Sequence, residues 1–337
     1  MDQRIIDDLL VSARLFLGPV RLVSKADAIL DYAAWNDETI LRVLHALGWR
    51  EGQRIAYLST YSPSYTRTEA LLHLLERNGV AVDTFIEPKR YLRFLLRLFS
   101  LRKHYDLFVV GFRGHEILPF VRFILGRRKH ILFDAFVSAY DTLCFDRQIV
   151  RPTSLIGRFL RWYDRWLCRL ADAVLVDTQA HARYFRETFG CQKVETVYVD
   201  CNRSLFKRQS FKKGGKAVVL WYGNCLPVQG VEKILRWVKS LESRSDILFR
   251  LIGPVQRTYR ILLSEPVLTN VEYIPWVSYG DLPQIIASAD ICLAGQFGDC
   301  LKASRVIAGK TYQMLACCDR VIIADNEANR EIFGDGK

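Results

Sequence analysis

The chain has 337 residues, half of them apolar and a quarter charged, a globular composition too long for one ordinary α/β unit, so two domains with separate cores are expected. No low-complexity tract or fixed-period repeat interrupts it, which excludes solenoids and long disordered tails. The formal charge of +12 asks for an anionic partner, and nucleic acid, phosphorylated small molecules and anionic lipid all qualify.

The chain opens with acids at Asp2, Asp7 and Asp8, where a secretory signal would be positive, and no uncharged apolar run approaches the length of a membrane span. Neither export nor a spanning helix is expected, which leaves a cytoplasmic protein. The nine cysteines are odd in number, contain no CxxC pair and include the vicinal Cys317-Cys318. That pattern belongs to reduced thiols, not to a disulfide framework or a zinc site.

Residues 1–52 read as a helical extension ahead of the first strand signal at 54–59. Apolar, β-branched runs follow at 80–86, 107–111, 130–134, 173–176 and 194–199, with helical patterns at 66–78, 117–125, 155–170 and 180–189 between them. Alternating helices and fully apolar strands predict a parallel sheet covered on both faces. Between residues 89 and 103, six cations (Lys89, Arg90, Arg93, Arg97, Arg102 and Lys103) and no acid alternate with Tyr91, Leu92, Phe94, Leu95, Leu96, Leu98, Phe99 and Leu101. This reads as a basic amphipathic helix suited to an anionic membrane face, or as a core-facing helix with solvated arginines.

A first domain is expected over 1–205 and a polar linker over 206–216, after which the pattern restarts over 217–337. Strands are expected at 217–222, 247–252, 271–274, 291–294 and 321–324, and helices at 231–241, 281–288, 310–317 and 326–333. The fold class is therefore α/β, two doubly wound Rossmann-like domains, and such sheets bind ligands at the carboxyl ends of their strands.

Five fragments of the second half, in order, carry a resemblance. They are Val219-Leu220-Trp221-Tyr222-Gly223-Asn224, Phe249-Arg250-Leu251-Ile252-Gly253-Pro254, Asn270-Val271-Glu272-Tyr273-Ile274-Pro275-Trp276-Val277, the run from Asp281 to Leu293, and Lys310-Thr311-Tyr312-Gln313-Met314-Leu315-Ala316 followed by Val321-Ile322-Ile323-Ala324-Asp325. Their order and spacing resemble the retaining, glycogen-synthase-like glycosyltransferases of GT-B fold (glycosyl transferases group 1, family 4 type) over about residues 217–336. Ala171–Thr178 resembles, more loosely, the last amino-terminal strand of that family.

The resemblance implies a sugar moved from a nucleotide-diphosphate donor to an acceptor hydroxyl with retention, in polysaccharide or glycolipid assembly. The amino-terminal domain would bind a glycan or lipid-linked acceptor and the carboxy-terminal domain the nucleotide-sugar donor. It implies no metal or other cofactor, since cations and helix starts stabilise the leaving diphosphate, and no nucleic-acid partner is expected. A catalytically silent GT-B protein that binds a glycan or another transferase is the alternative.

On the donor side, Gly223 and Asn224 end a strand where backbone N–H groups can approach a diphosphate, and Gly253 ends the next strand near the base. Lys302 and Arg305 precede a helix opened by Lys310, whose ammonium and helix dipole suit phosphate. Gln313 can hydrogen-bond a ribose hydroxyl. Relatives carry arginine and lysine where Asn224 and Gln229 stand, and paired glutamates where Arg305 and Gln313 stand.

On the acceptor side, His115 in the loop Gly111-Phe112-Arg113-Gly114-His115 and Asp134 at the next strand end are the expected catalytic residues, and Asp134 or Asp141, seven residues on, either binds acceptor hydroxyls or caps the following turn. Arg67 supplies charge from a glycine-free loop. In relatives, helices beyond residue 337 complete the second domain, so that domain is expected to lack its C-terminal helices, and the chain to be a fragment or a loosely hinged pair.

Overall fold

The computed structural model describes residues 3–63, 65–87, 90–210, 214–259 and 268–335. Lys89 of the basic run and residues 211–213 of the expected linker lie outside them. The chain divides into two units, one of residues 31–200 and one that joins residues 1–30 to residues 201–337.

The first thirty residues are not an extension of the amino-terminal domain. Helix α1 (Gln3–Leu17) and strand β1 (Val20–Val23) belong to the carboxy-terminal unit. The strand escapes a helical reading of residues 1–52 because four residues give no measurable period.

The amino-terminal unit runs α2 (Tyr32–Ala46), β2 (Arg54–Ser59), α3 (Thr66–Arg77), β3 (Ala81–Ile86), α4 (Tyr91–Leu101), β4 (Leu107–Val110), α5 (Leu118–Leu125) and β5 (His130–Asp134). It ends with α6 (Leu155–Leu170), β6 (Ala173–Val176), α7 (Gln179–Phe189) and β7 (Val194–Thr196). The sheet has order β3-β2-β4-β5-β6-β7 and all its pairings are parallel.

Alternation along the strands fills both faces. Ala56, Leu58, Phe108, Val110, Ile131 and Phe133 point into a core closed by α4, α5, α6 and α7, while Ile55, Tyr57, Leu107, Val109 and Leu132 meet α2 and α3 on the other side. Helix starts are set by local chemistry. Asp31 caps α2 through the Ala33 and Ala34 amides, Ser154 caps α6 through Gly157, and Thr178 caps α7 through His181.

The carboxy-terminal unit continues with β8 (Ala217–Tyr222), α8 (Val231–Ser240), β9 (Ile247–Ile252), β10 (Val271–Ile274), α9 (Leu282–Ser288), β11 (Ile291–Gly295), α10 (Gly309–Cys317), β12 (Val321–Ala324) and α11 (Glu327–Phe333). Its sheet order is β1-β12-β11-β8-β9-β10, parallel except where β1 runs antiparallel along β12, Val20 opposite Ala324 and Val23 opposite Val321. The amino-terminal segment thus covers an edge that β12 would otherwise present.

Helix α1 packs on α8 and places Leu9, Ala13 and Leu17 in one core with Ile234, Leu235, Trp237 and Val238. The Trp237 indole donates to the Ser12 hydroxyl at 2.9 Å. Residues 201–210 also belong to this unit: Cys201 reaches the Tyr312 carbonyl at 3.5 Å and Phe206 is buried edge-on to Tyr279. The boundary therefore falls after Asp200, ahead of the expected 206–216 linker.

Candidate functional site

In the carboxy-terminal unit the chemistry gathers where β8 and β11 end and α10 begins. Tyr222 closes β8, and Gly223 follows with φ +150°, a conformation that favours glycine. Gly253, at φ +135° after β9, lies so close that a Cβ there would stand 2.1 Å from the Gly223 carbonyl oxygen. The contact of two backbones requires Gly253, which assigns this glycine first to packing the strand ends together.

A second pair of close approaches joins the loops beyond. A Cβ on Gly230 would stand 2.5 Å from the Phe297 carbonyl carbon, and one on Gly298 would stand 2.2 Å from the Pro227 carbonyl oxygen. The Gly298 amide also donates to the Val228 carbonyl at 3.1 Å. This zipper fixes Gln229 beside Gly295, whose Cα side lies against the Gln229 amide oxygen.

Lys310 enters this frame from the first turn of α10. Its ammonium donates to the Gln229 side-chain oxygen at 2.7 Å and to the Tyr222 carbonyl at 3.1 Å, and lies 4.6 Å from the centre of the Trp221 ring. A side chain on Gly223 would begin 3.6 Å from that nitrogen. Burial lowers the Lys310 pKa from the ordinary amine value to about 7. No side chain caps the start of α10, so its first amides and its dipole favour an anion there.

Four of the expected donor-site residues come together here: Gly223, Gly253, Lys310 and Gln313. Gln313 is buried, and its carbonyl accepts from the Tyr222 hydroxyl at 2.6 Å, which orients its amide group. Asn224 is exposed immediately after Gly223. Lys302 is buried in the turn Leu301–Ser304, and Arg305 follows it half-buried on the way into α10. Trp221 and Tyr222 were not singled out from sequence: within an apolar strand they read as core, and only their end position signals otherwise.

The amino-terminal unit corrects several expectations. Asp134 and Arg67 form a fully buried ion pair, with Arg67 Nε 3.0 and 3.1 Å from the two carboxylate oxygens and Nη2 2.8 Å from one of them. Nη1 donates to the Val197 carbonyl at 2.6 Å, and the guanidinium packs on Phe136. Neither residue is available to a substrate. Both tie the ends of β5, α3 and the segment after β7 together, and Asp141 is buried as well.

The loop bearing His115 is tightly packed. A Cβ on Gly111 would fall 2.0 Å from the Tyr57 hydroxyl, and one on Gly114 would fall 2.3 Å from a Val110 methyl. His115 sits in a short turn, edge-on to Phe133, with Nε2 3.9 Å from the Asp164 carboxylate. Burial holds its pKa below the ordinary imidazole value against the pull of Asp164. Asp164 itself is fixed by the Ser138 hydroxyl at 2.6 Å and the Tyr140 amide at 2.8 Å. His115 is thus a neutral, oriented imidazole at a strand end, coupled to a carboxylate that sequence reading did not pair with it.

Among the described residues no cluster of three or more His, Cys, Asp or Glu side chains is placed to hold a metal ion.

Two Rossmann-like units with parallel sheets are the architecture of GT-B proteins. Residues 202–337 match the model of the family Glycosyl transferases group 1, which supports reading the chain as a glycosyltransferase. The fold is similar to that of sucrose-phosphate synthase (tll1590) from Thermosynechococcus elongatus, with a TM-score of 0.55 and 14% identity over 72% of this chain and 75% of that one. A glycosyltransferase from Rickettsia africae ESF-5 has a TM-score of 0.43 at 8% identity, covering 73% of each chain. UDP-GlcNAc 2-epimerase from Neisseria meningitidis has a TM-score of 0.38 at 13% identity, over 77% and 74%. No curated protein sequence matches the chain significantly.

Proposed function

We propose that this glycosyltransferase takes its sugar from a nucleoside-diphosphate donor held on the carboxy-terminal unit and passes it to an acceptor hydroxyl with retention. The observation that carries the reading is the buried Lys310 ammonium, presented by a helix start among neutral acceptors only. Removing an ammonium from water is costly unless an anion repays it. Each phosphate of a nucleotide-sugar diphosphate carries one negative charge, and such a charge beside Lys310 repays that cost.

In this reading Lys310 and the first amides of α10 take up the charge that develops on the departing diphosphate, and no divalent metal is required. Gly223 lets the phosphate reach the ammonium, and the Gln313 amide nitrogen donates to a ribose oxygen. Lys302 and Arg305 add positive potential on the segment that enters α10. His115, neutral and oriented, is the candidate contact to the acceptor in polysaccharide or glycolipid assembly.

Calorimetric titration with UDP, GDP and ADP in EDTA-containing buffer tests the donor part. At least one should bind, and Lys310→Ala should weaken it about tenfold or more, the loss of one charge-assisted contact. Wild-type affinity in Lys310→Ala, or dependence of binding on a divalent ion, would contradict the proposal.

A further inference from the structure

The face of the amino-terminal unit built from α4, α5 and α6 carries more apolar surface than its fold uses. Each helix already buries one stripe against the sheet: Phe94, Leu98 and Leu101 in α4, Leu118, Val121 and Leu125 in α5, Leu167 and Cys168 in α6. Each also presents a second stripe outward. In α4 it is Leu92, Leu96 and Phe99, at i, i+4 and i+7; in α5 it is Phe120 and Phe123; in α6 it is Leu155, Phe159 and Trp162, with the same spacing as in α4. Phe123 is 86% exposed, Leu155 83% and Trp162 55%.

The three helices are neighbours, α4 packing on α5 and α5 on α6, so the stripes belong to one face. Aromatic stacking organises its edge: Trp162 lies parallel to Trp166 at 5.9 Å, and Phe159 stacks on Tyr163 at 6.0 Å. Scattered exposed apolar residues are ordinary, but outward stripes on three adjacent helices mark an interaction surface.

Charge selects the partner. The exposed charges of α6 are the arginines Arg158, Arg161, Arg165 and Arg169, while its one acid, Asp164, is buried. Helix α4 carries Arg93 and Arg97 and no acid, and Arg102, Lys103, Arg127 and Arg128 are exposed in the turns that follow α4 and α5. The acids nearest the face are each matched by a cation: Glu87 by Arg93 and Arg97, Glu116 by Arg113, Asp106 by Lys129. Apolar stripes bordered by arginines, with tryptophan at the boundary, are the pattern of helices lying in a headgroup layer.

We infer that this three-helix face seats the protein on an anionic lipid surface, with Leu92, Leu96, Phe123, Phe159 and Trp162 entering the acyl boundary and the arginines meeting the headgroups. Among the described residues no helix is long and apolar enough to cross a membrane, so contact of this kind is lateral. The inference extends the basic run of α4 to two helices whose part was not legible from charge alone, and it stands independently of the donor reading.

Co-sedimentation with phosphatidylcholine vesicles, with and without phosphatidylglycerol, tests it on the full chain. Wild type should bind the anionic vesicles, and the binding should weaken with salt. Phe123→Ser combined with Trp162→Ser should reduce partitioning about tenfold or more, since two aromatic side chains then stay in water. Arg158→Gln, Arg161→Gln and Arg165→Gln should each reduce it about fivefold. These side chains are exposed, so unchanged thermal unfolding separates lost docking from lost folding. Absence of wild-type binding, or equal binding by the Phe123/Trp162 variant, would overturn the inference. So would a concentration-dependent dimer, lost in that variant, from a protein that ignores vesicles, because the face would then serve a second copy.

Discussion

Lys310 shows how a residue and its surroundings set each other's state. Buried beside the Gln229 and Tyr222 oxygens, it has a pKa lowered to about 7, and a bound diphosphate would favour the ammonium and raise that value again. In the free protein the unfolded chain binds more protons than the folded one from about pH 7 to the ordinary lysine range, so this group adds stability as pH rises through that window. Ligand binding works in the opposite sense: above pH 7 it must take up a proton. Affinity for a nucleoside diphosphate should therefore fall by up to about tenfold per unit as pH rises above 7. Lys310→Arg, which cannot deprotonate, should flatten the profile. A titration across pH 6.5–9 checks this, and identical slopes in the two proteins would count against the linkage.

The lysine was visible in the sequence because it opens a helical pattern after a strand-loop segment. Its partner Gln229 was visible only as a departure from related sequences. Asp134 and Arg67 misled for a physical reason: charged residues at strand ends read as ligands, and nothing in one sequence shows that residues 67 apart neutralise each other in the core.

At the scale of elements, strands β5, β8, β9 and β12 were legible almost to the residue, because each is a short, largely apolar run bounded by turn residues. Strand β1 was not, since its four residues alternate weakly and its partner lies some three hundred positions away. Yet β1 and α1 make up a wall of the carboxy-terminal core. Leu9→Ala and Leu17→Ala should each cost about 2–5 kcal/mol in denaturant unfolding, the price of a core cavity. The exposed Leu15→Ala should cost far less. Equal, small losses at all three positions would mean that α1 is not part of that core.

For the whole molecule the consequence is one of connectivity. The chain starts in one unit, builds the other over residues 31–200 and returns, so two covalent connections join the units where the sequence suggested one linker. The carboxy-terminal sheet is therefore completed from the other end of the chain, a complement that a reading of residues 217–337 alone could not supply.

The central claim is that a nucleotide occupies the place where β8 and β11 end and α10 begins. Hydrogen–deuterium exchange with and without a saturating nucleoside diphosphate measures this directly. The account predicts slowed exchange at residues 222–230, 295–298 and 309–313, with little change in β2 to β5. Protection confined to residues 31–200, or none at saturation, would contradict it.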